Sequence, residues 1–306
     1  MKRVLVPGEI NVDLIFAGVA ALPQLGRETL AQTYLQCPGS SSMILAMGLA
    51  RLGDPVHFIG RCGDDAYGRF CIDALRERGV DTTSIMTDAA LRTGVTVAIS
   101  MGGDRALLTW PGAMATLVAS DVSDAELADA QHLHISSYYL QTTLRQELEE
   151  LFARAQAAGL TTSLDPGSDP ENGWGSDIID VLRHVDLFLP NEDEARALTG
   201  ANTPEEALRS LENGVTRSVI KAGSRGAFSL DHGQTVFVPS NAMPPGDTTG
   251  AGDSFNAGFL HAWLRGLPVL DGLRWGNACG ALSTRGSGGT GAQATEVEAL
   301  ALMHAR

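Results

Sequence analysis

Short β-rich runs alternate with helical patterns along this chain, which predicts an α/β fold with a doubly wound, mostly parallel central sheet covered by helices on both faces. Two other observations refine that expectation. The chain has 306 residues, 44% of them hydrophobic, enough for one large α/β domain or two modest ones. No linker, internal repeat or low-complexity tract divides it, so residues 1–306 read as one domain. Two segments interrupt the alternation with strands that have no helices between them, and these predict a small second sheet projecting from the first.

The elements follow in order. Arg3–Val6, Val56–Ile59, His132–Ile135, Thr161–Leu164, Asp186–Leu189 and Ser218–Lys221 read as core strands. Helical patterns occupy Met43–Leu52, Gly68–Arg78, Thr143–Ala158, Glu192–Leu198, Pro204–Leu211, Ala251–Leu264 and Leu270–Ser283. The interrupting segments are Asp13–Val19 with Glu28–Gln36, and Thr93–Met101 with Ala106–Trp110, the latter pair turning at Gly102-Gly103-Asp104. Asp165–Trp174, with two prolines and two glycines, reads as a loop at a strand's C-terminal end. In such sheets ligands bind beyond the carboxyl ends of the strands.

Composition removes several classes of function. Net charge is −14 and the pI near 4.8, against the basic footprint that nucleic-acid binding requires. No run approaches the ~20 apolar residues of a membrane span. The opening Met1–Gly8 stretch is too short for a signal sequence. Cys37, Cys62, Cys71 and Cys279 have no metal or redox spacing, so a reducing cytoplasm is expected.

The most informative stretch is Asp247-Thr248-Thr249-Gly250-Ala251-Gly252-Asp253, which runs into an amphipathic helix. First-turn N–H groups lack intrahelical acceptors, and the helix dipole adds positive potential there. Glycines at 250 and 252 leave room for a phosphate to reach those donors. A carboxylate at Asp253 would repel that phosphate unless it faces a hydroxyl whose proton it receives. The alternative is a glycine-rich turn with Asp253 as an ordinary capping residue.

Other motifs cluster on the predicted strand ends. Asn11 and Asp13 alternate with apolar neighbours and share a face, suited either to sugar hydroxyls or to a solvent-facing edge strand. Gly39 and Ser40 lead into a helix, where the serines could compete for its N-cap. Gly60–Gly68 is a strand-to-helix turn with Asp65 as a plausible cap. Asn191 and Glu194 open another helix, where acidic residues ordinarily complement the dipole. Lys221, Gly223, Ser224, Arg225 and Gly226 form a strand running into a glycine-rich turn, with either cation able to offset phosphate charge or only to face solvent. Gly286–Gly291 satisfies G-x-G-x-x-G, but too little chain follows for a dinucleotide unit, so it reads as a loop bordering a nucleotide or cation. His132 and His134 alternate on a strand and read as packing residues.

Taken with these motifs, the stretch from Asp247 to Phe259 resembles the signature of the ribokinase-like carbohydrate kinases, the phosphofructokinase B group. The resemblance implies Asp253 as catalytic base, an anion hole at Gly250, Ala251 and Gly252, and sugar contacts from Asn11, Asp13, Gly39 and Ser40. It further implies a nucleotide cradle from Lys221, Gly223, Ser224 and Gly226, with Asn277 beside the adenine. Asn191 and Glu194 would organise water-bound Mg²⁺. ATP and Mg²⁺ are the implied cofactors; some members need K⁺, and Asp247 and Thr249 lie where such an ion could bind. The small sheet, from about 13–36 and 93–110, would be a lid over the sugar, with edges through which a second copy could pair. One departure stands out: Ile44 occupies the position of a substrate-binding Asn. The resulting expectation is a kinase for a hydroxyl, a primary one, on a small sugar or sugar acid. Alternatives are a nucleoside kinase stacking a base on Phe16, Tyr34, Tyr138 or Trp110, and a non-catalytic sugar or nucleotide sensor.

Overall fold

The computed structural model describes residues 2–101, 104–175, 177–241, 243 and 246–305. Among the described residues thirteen strands build two sheets: β1 (Arg3–Pro7), β2 (Asn11–Ala17), β3 (Thr33–Pro38), β4 (Val56–Gly63), β5 (Asp81–Asp88), β6 (Gly94–Met101), β7 (Asp104–Trp110), β8 (Ala130–Ile135), β9 (Thr161–Leu164), β10 (Leu187–Phe188), β11 (Arg217–Lys221), β12 (Gly226–Asp231) and β13 (Gln234–Pro239). The large sheet runs β13-β12-β11-β10-β9-β8-β1-β4-β5 and the small one β3-β2-β6-β7.

Every pairing from β11 across to β5 is parallel, and only β11–β12 and β12–β13 are antiparallel. All six predicted core strands lie in this sheet. Successive residues of β1 show why it is covered twice. Val4 and Val6 pack into a core with Met43, Leu49, Phe58, Phe255 and Phe259, whereas Leu5 packs oppositely with Ile135, Phe152, Leu164 and Phe188. Each fully buried side chain of this size contributes roughly 1.5–3 kcal/mol.

Three strands go beyond the sequence expectation. β5 is polar at all but Ile85 and Met86 and sits on the sheet's edge, so it lacks a core-strand pattern. β12 and β13 form a hairpin around His232-Gly233, both at positive φ (48° and 75°), the geometry a two-residue turn demands. The helix expected over Thr143–Ala158 is broken into Thr142–Arg145 and Leu148–Ala157. Glu147 between them leaves helical geometry, and its carboxylate accepts the Ala119 N–H at 2.7 Å.

The small sheet differs in detail from two hairpins. β2–β3 and β6–β7 are antiparallel, but β2 and β6 pair in parallel, making one mixed sheet. Residues 28–32, expected as strand, are irregular, and pairing begins only at Thr33. The expected turn residues Gly102 and Gly103, and the Asp104 side chain, lie outside the described residues.

Register assigns the faces of this sheet. Asp13 stands opposite Cys37 and Thr96, Thr96 opposite Thr109, Ile15 opposite Leu35 and Ala98, and Arg105 opposite Ser100. Ile15, Leu35, Cys37 and Ala98 pack together on that face. Phe16 pairs with Tyr34 and Trp110 with Val95, on the other face. Among the described residues no helix is long and apolar enough to cross a membrane.

Candidate active site

The candidate residues gather where β1, β9, β10 and β11 end and the Ala251–Trp263 helix begins. That helix starts at Gly250, whose φ of 70° is left-handed. A Cβ there would stand 2.7 Å from Gly289 Cα and 3.0 Å from Ile44 Cγ2. The departure at Ile44 thus has a place in the packing: Ile44 is buried and fills the space against both glycine stretches.

The expected anion hole is partly altered. The Ala251 N–H donates to Thr248 O at 3.2 Å, so that amide is already engaged within the turn. Among the described residues no acceptor is found for the N–H groups of Gly250, Gly252 and Asp253. A Cβ on Gly252 would meet nothing closer than Lys221 Nζ at 3.6 Å. An open amide and an ammonium therefore flank the same space.

Asp253 is half-buried and follows Gly252 in the first turn of the helix. Burial pushes its carboxyl up to about 7, the charge of Asp165 adds to the shift, and Lys221 and Ser41 oppose it. A carboxylate poised near neutrality suits a general base. Lys221 is not a solvated cation: its side chain is largely shielded from solvent, and its Nζ donates to Asp165 Oδ2 at 2.7 Å and to Asn256 Oδ1 at 3.3 Å. Arg225 turns outward instead and pairs with Glu192.

Asn191 and Glu194 form a reciprocal helix cap. Asn191 Oδ1 accepts the Glu194 N–H at 2.9 Å, and Glu194 Oε2 accepts the Asn191 N–H at 2.8 Å. Capping does not exhaust Glu194, whose buried carboxyl is raised to about 7 by burial and by Asp165, with Lys221 lowering it.

In the small sheet, Asn11 Nδ2 donates to Asp13 Oδ1 at 3.1 Å and to Thr96 Oγ1 at 2.9 Å. Among the described residues the buried Asn11 Oδ1 has no hydrogen-bond partner, which leaves it able to accept from a ligand. Burial raises Asp13 to about 6 against the Asn11 hydrogen bond and the Arg105 charge. Gly39 is glycine because a Cβ would fall 2.2 Å from Asp13 Oδ1.

Ser40 departs from the expected sugar contact. It caps the Ser41–Arg51 helix, accepting the Met43 N–H at 3.0 Å and donating to Glu9 O at 2.7 Å. Its φ of 66° is one that glycine adopts readily and serine at a cost, so the cap offsets backbone strain.

Loops join the two halves. Asp247 Oδ1 accepts the Thr249 N–H and hydroxyl at 2.9 and 2.7 Å, and its Oδ2 accepts the Gly288 N–H at 2.9 Å. The pair expected to bind a monovalent cation thus clasps the Gly286–Gly291 loop to the turn before Ala251. From the small sheet, Arg105 Nη1 donates to Thr248 Oγ1 at 3.2 Å.

The expected nucleotide cradle divides. Gly223, at φ 56°, has nothing within 4 Å of a would-be Cβ, and Ser224 beside it is exposed. Gly226 serves the fold instead, since a Cβ would lie 2.1 Å from Val238 O. Asn277 is engaged too: its Nδ2 donates to Val238 O and Pro239 O at 2.9 and 3.2 Å, tying its helix to β13.

Asp65 caps its helix by accepting the Gly68 N–H at 2.8 Å and also holds Thr93 N–H at 2.9 Å. His132 and His134 are buried in a hydrogen-bonded row with Thr161, Ser163 and Ser136, each interaction 2.6–2.8 Å long. Among the described residues no group of three or more His, Cys, Asp or Glu side chains could hold a metal by itself. Sequence reasoning missed Asp165, Asn256 and Ser41. Asp165 had a signal: a charged residue between the predicted strand Thr161–Leu164 and a proline, at that strand's C-terminal end.

A two-sheet α/β body with a carboxylate at an open helix start is a ligand-binding architecture of the sugar-kinase kind. The model of the pfkB family carbohydrate kinases matches residues 1–296, and the chain belongs to that family. It is 29% identical to a fructokinase of Vibrio alginolyticus, covering 98% of both chains. Among solved structures, it is similar to a fructokinase double mutant of Vibrio cholerae O395 in fructose-, ADP- and potassium-bound form (28% identity, TM-score 0.84, 99% of both chains). It is also similar to a chain designated ribokinase II from E. coli in complex with ATP and Mg²⁺ (25% identity, TM-score 0.87, 99% of both). The fold is ribokinase-like and the protein is a carbohydrate kinase.

Proposed function

We propose that this kinase transfers the γ-phosphoryl group of ATP to a primary hydroxyl of a small sugar or sugar acid, with Asp253 receiving the hydroxyl proton. The observation that carries the reading is Asp253 itself: a half-buried carboxyl raised to about 7, beside amides of Gly250 and Gly252 that have no acceptor among the described residues. Asn11 and Asp13 would orient the acceptor, the unpartnered Asn11 Oδ1 taking a hydroxyl hydrogen. Loss of the proton to Asp253 makes the oxygen a nucleophile in line with the γ-phosphorus, while the open amides hold the equatorial oxygens.

Glu194 fits a metal that keeps most of its water, because one buried carboxylate with a capping bond to only one oxygen remains able to accept from such a shell. Mg²⁺ bound through water near Glu194 and Asn191 would neutralise phosphate charge. K⁺, present in the Vibrio cholerae structure, would belong at the Asp247–Thr249 turn. In this reading the small sheet is a lid that excludes water when it closes, the chain is one catalytic unit in the cytoplasm, and the outer strands β3 and β7 offer edges to a second copy.

A nucleoside acceptor loses its support. Phe16, Tyr34 and Trp110 lie on the face opposite Asp13, Phe16 and Tyr34 pack on each other, and the buried Tyr138 donates to Asp177. The test is Asp253→Asn, followed by ADP release with fructose, ribose, deoxygluconate and adenosine. Turnover should fall by about 10²–10⁴. A folded variant with near-normal turnover refutes the assignment, and ligand-induced stabilisation of the wild type without phosphate transfer to any acceptor would favour a sensor instead.

A further inference from the structure

We infer that Asp165 is a positioning residue for phosphoryl transfer: together with Asn256 it holds the Lys221 ammonium beside the open Gly252 amide, where the transferred group would sit. The inference deepens the kinase reading and rests on it.

Three elements converge to make this arrangement: the end of β9 supplies Asp165, the end of β11 Lys221, and the Ala251–Trp263 helix Asn256. Asp165 Oδ2 accepts from Lys221 Nζ at 2.7 Å and from Asn256 Nδ2 at 2.5 Å, and its Oδ1 accepts the Gly167 N–H at 2.9 Å. Asn256 Oδ1 closes the triangle by accepting from the ammonium at 3.3 Å. Each member is therefore fixed by the other two. The ammonium has three N–H groups, and among the described residues two acceptors are found, leaving one for a ligand. Its place next to that ligand follows from the 3.6 Å between Nζ and a would-be Cβ on Gly252.

Stability is a poor reason for this pair to exist. Only 11% of the Lys221 side chain and 6% of that of Asp165 are exposed, and burying both charges costs about what their attraction returns. Asp165 also settles a competition. Glu194 and Asp253 both interact with the ammonium, while His134 lies within reach of Asp165 and Lys221 and burial keeps it neutral. Without Asp165 the ammonium would be drawn onto Asp253, neutralising the base and leaving the phosphate site.

The experiment compares Asp165→Asn, Lys221→Met and the double variant in the full chain, with Asp253→Asn alongside. Turnover per folded enzyme is measured with the acceptor the wild type phosphorylates fastest. Thermal shifts are read with Mg²⁺ and ADP, and again after adding aluminium fluoride and acceptor, which mimic the transferring group. All three pair variants should keep the ADP shift, lose the further shift with aluminium fluoride, and turn over about 10²-fold more slowly. A purely structural role would not move the aluminium fluoride step selectively.

The double variant removes both charges of the Asp165–Lys221 pair together, so it decides the matter if the single variants fail to fold. Turnover in it within about threefold of wild type overturns the proposal. So does its failure to fold, because the pair would then be a structural necessity. Full activity of Asp253→Asn would instead remove the base assignment, and the pair variants would be judged separately by the aluminium fluoride step.

Discussion

Gly252→Ala separates what the fold needs from what the chemistry needs. The added methyl would stand 3.6 Å from Lys221 Nζ, an ordinary contact, and would touch nothing else within that distance. Gly252 has no positive φ and lies in the first turn of a helix, where alanine is favoured over glycine by roughly 0.5–1 kcal/mol. At about 2.1 cal/mol/K of unfolding entropy per residue, a chain this long should gain only about 1–2 °C in Tm. The same methyl occupies the gap between the open amide and the ammonium, so it should displace the phosphoryl oxygens from both donors. Loss of one such donor costs about 10²–10³ in turnover. A coupled ADP-release assay with a thermal melt reads both effects on one sample. Turnover within about threefold of wild type would refute the anion-hole geometry. A fall in Tm of several degrees would refute the steric reasoning.

Gly250→Ala should behave oppositely: left-handed φ and a 2.7 Å approach to Gly289 Cα predict a lower Tm by thermal melt, with destabilisation of more than about 1 kcal/mol. Asp13→Asn should weaken the acceptor, raising its KM at least about tenfold with KM for ATP unchanged, as initial rates would show. The pH profile of kcat/KM for ATP should carry an acid limb near 7. The Asp253 pKa is raised, so its base form is lost as pH falls through that value and the rate falls with it. Because Glu194 titrates in the same range, the limb belongs to the pair, and a profile flat from pH 6 to 8 would contradict the assignment. Asn277→Ala should lower Tm through the two freed carbonyls at the end of β13 while leaving turnover of folded enzyme near normal.

Much of the candidate site was legible because its signals are local. Gly250, Gly252 and Asp253 sit within one turn of chain, and the physics of a helix start depends on little else. Asn11 with Asp13, and Asn191 with Glu194, are short-range patterns of the same kind. Ser40 and Asn277 illustrate the opposite case. Their polar groups are consumed by the helix start at Met43 and by the distant end of β13, partners that appear only when the chain folds.

The sequence by itself determined the alternating strands and helices, the open turn before Ala251 and the carboxylate beside it, because periodicity and backbone freedom are properties of neighbouring residues. Only the tertiary structure decided that Lys221 bonds Asp165 and Asn256, that Ile44 packs against Gly250 and Gly289, and that the small-sheet aromatics Phe16, Tyr34 and Trp110 lie on the face opposite Asp13. Those outcomes depend on which strand ends and sheet faces meet across long stretches of chain, and burial and charge take their values from that meeting.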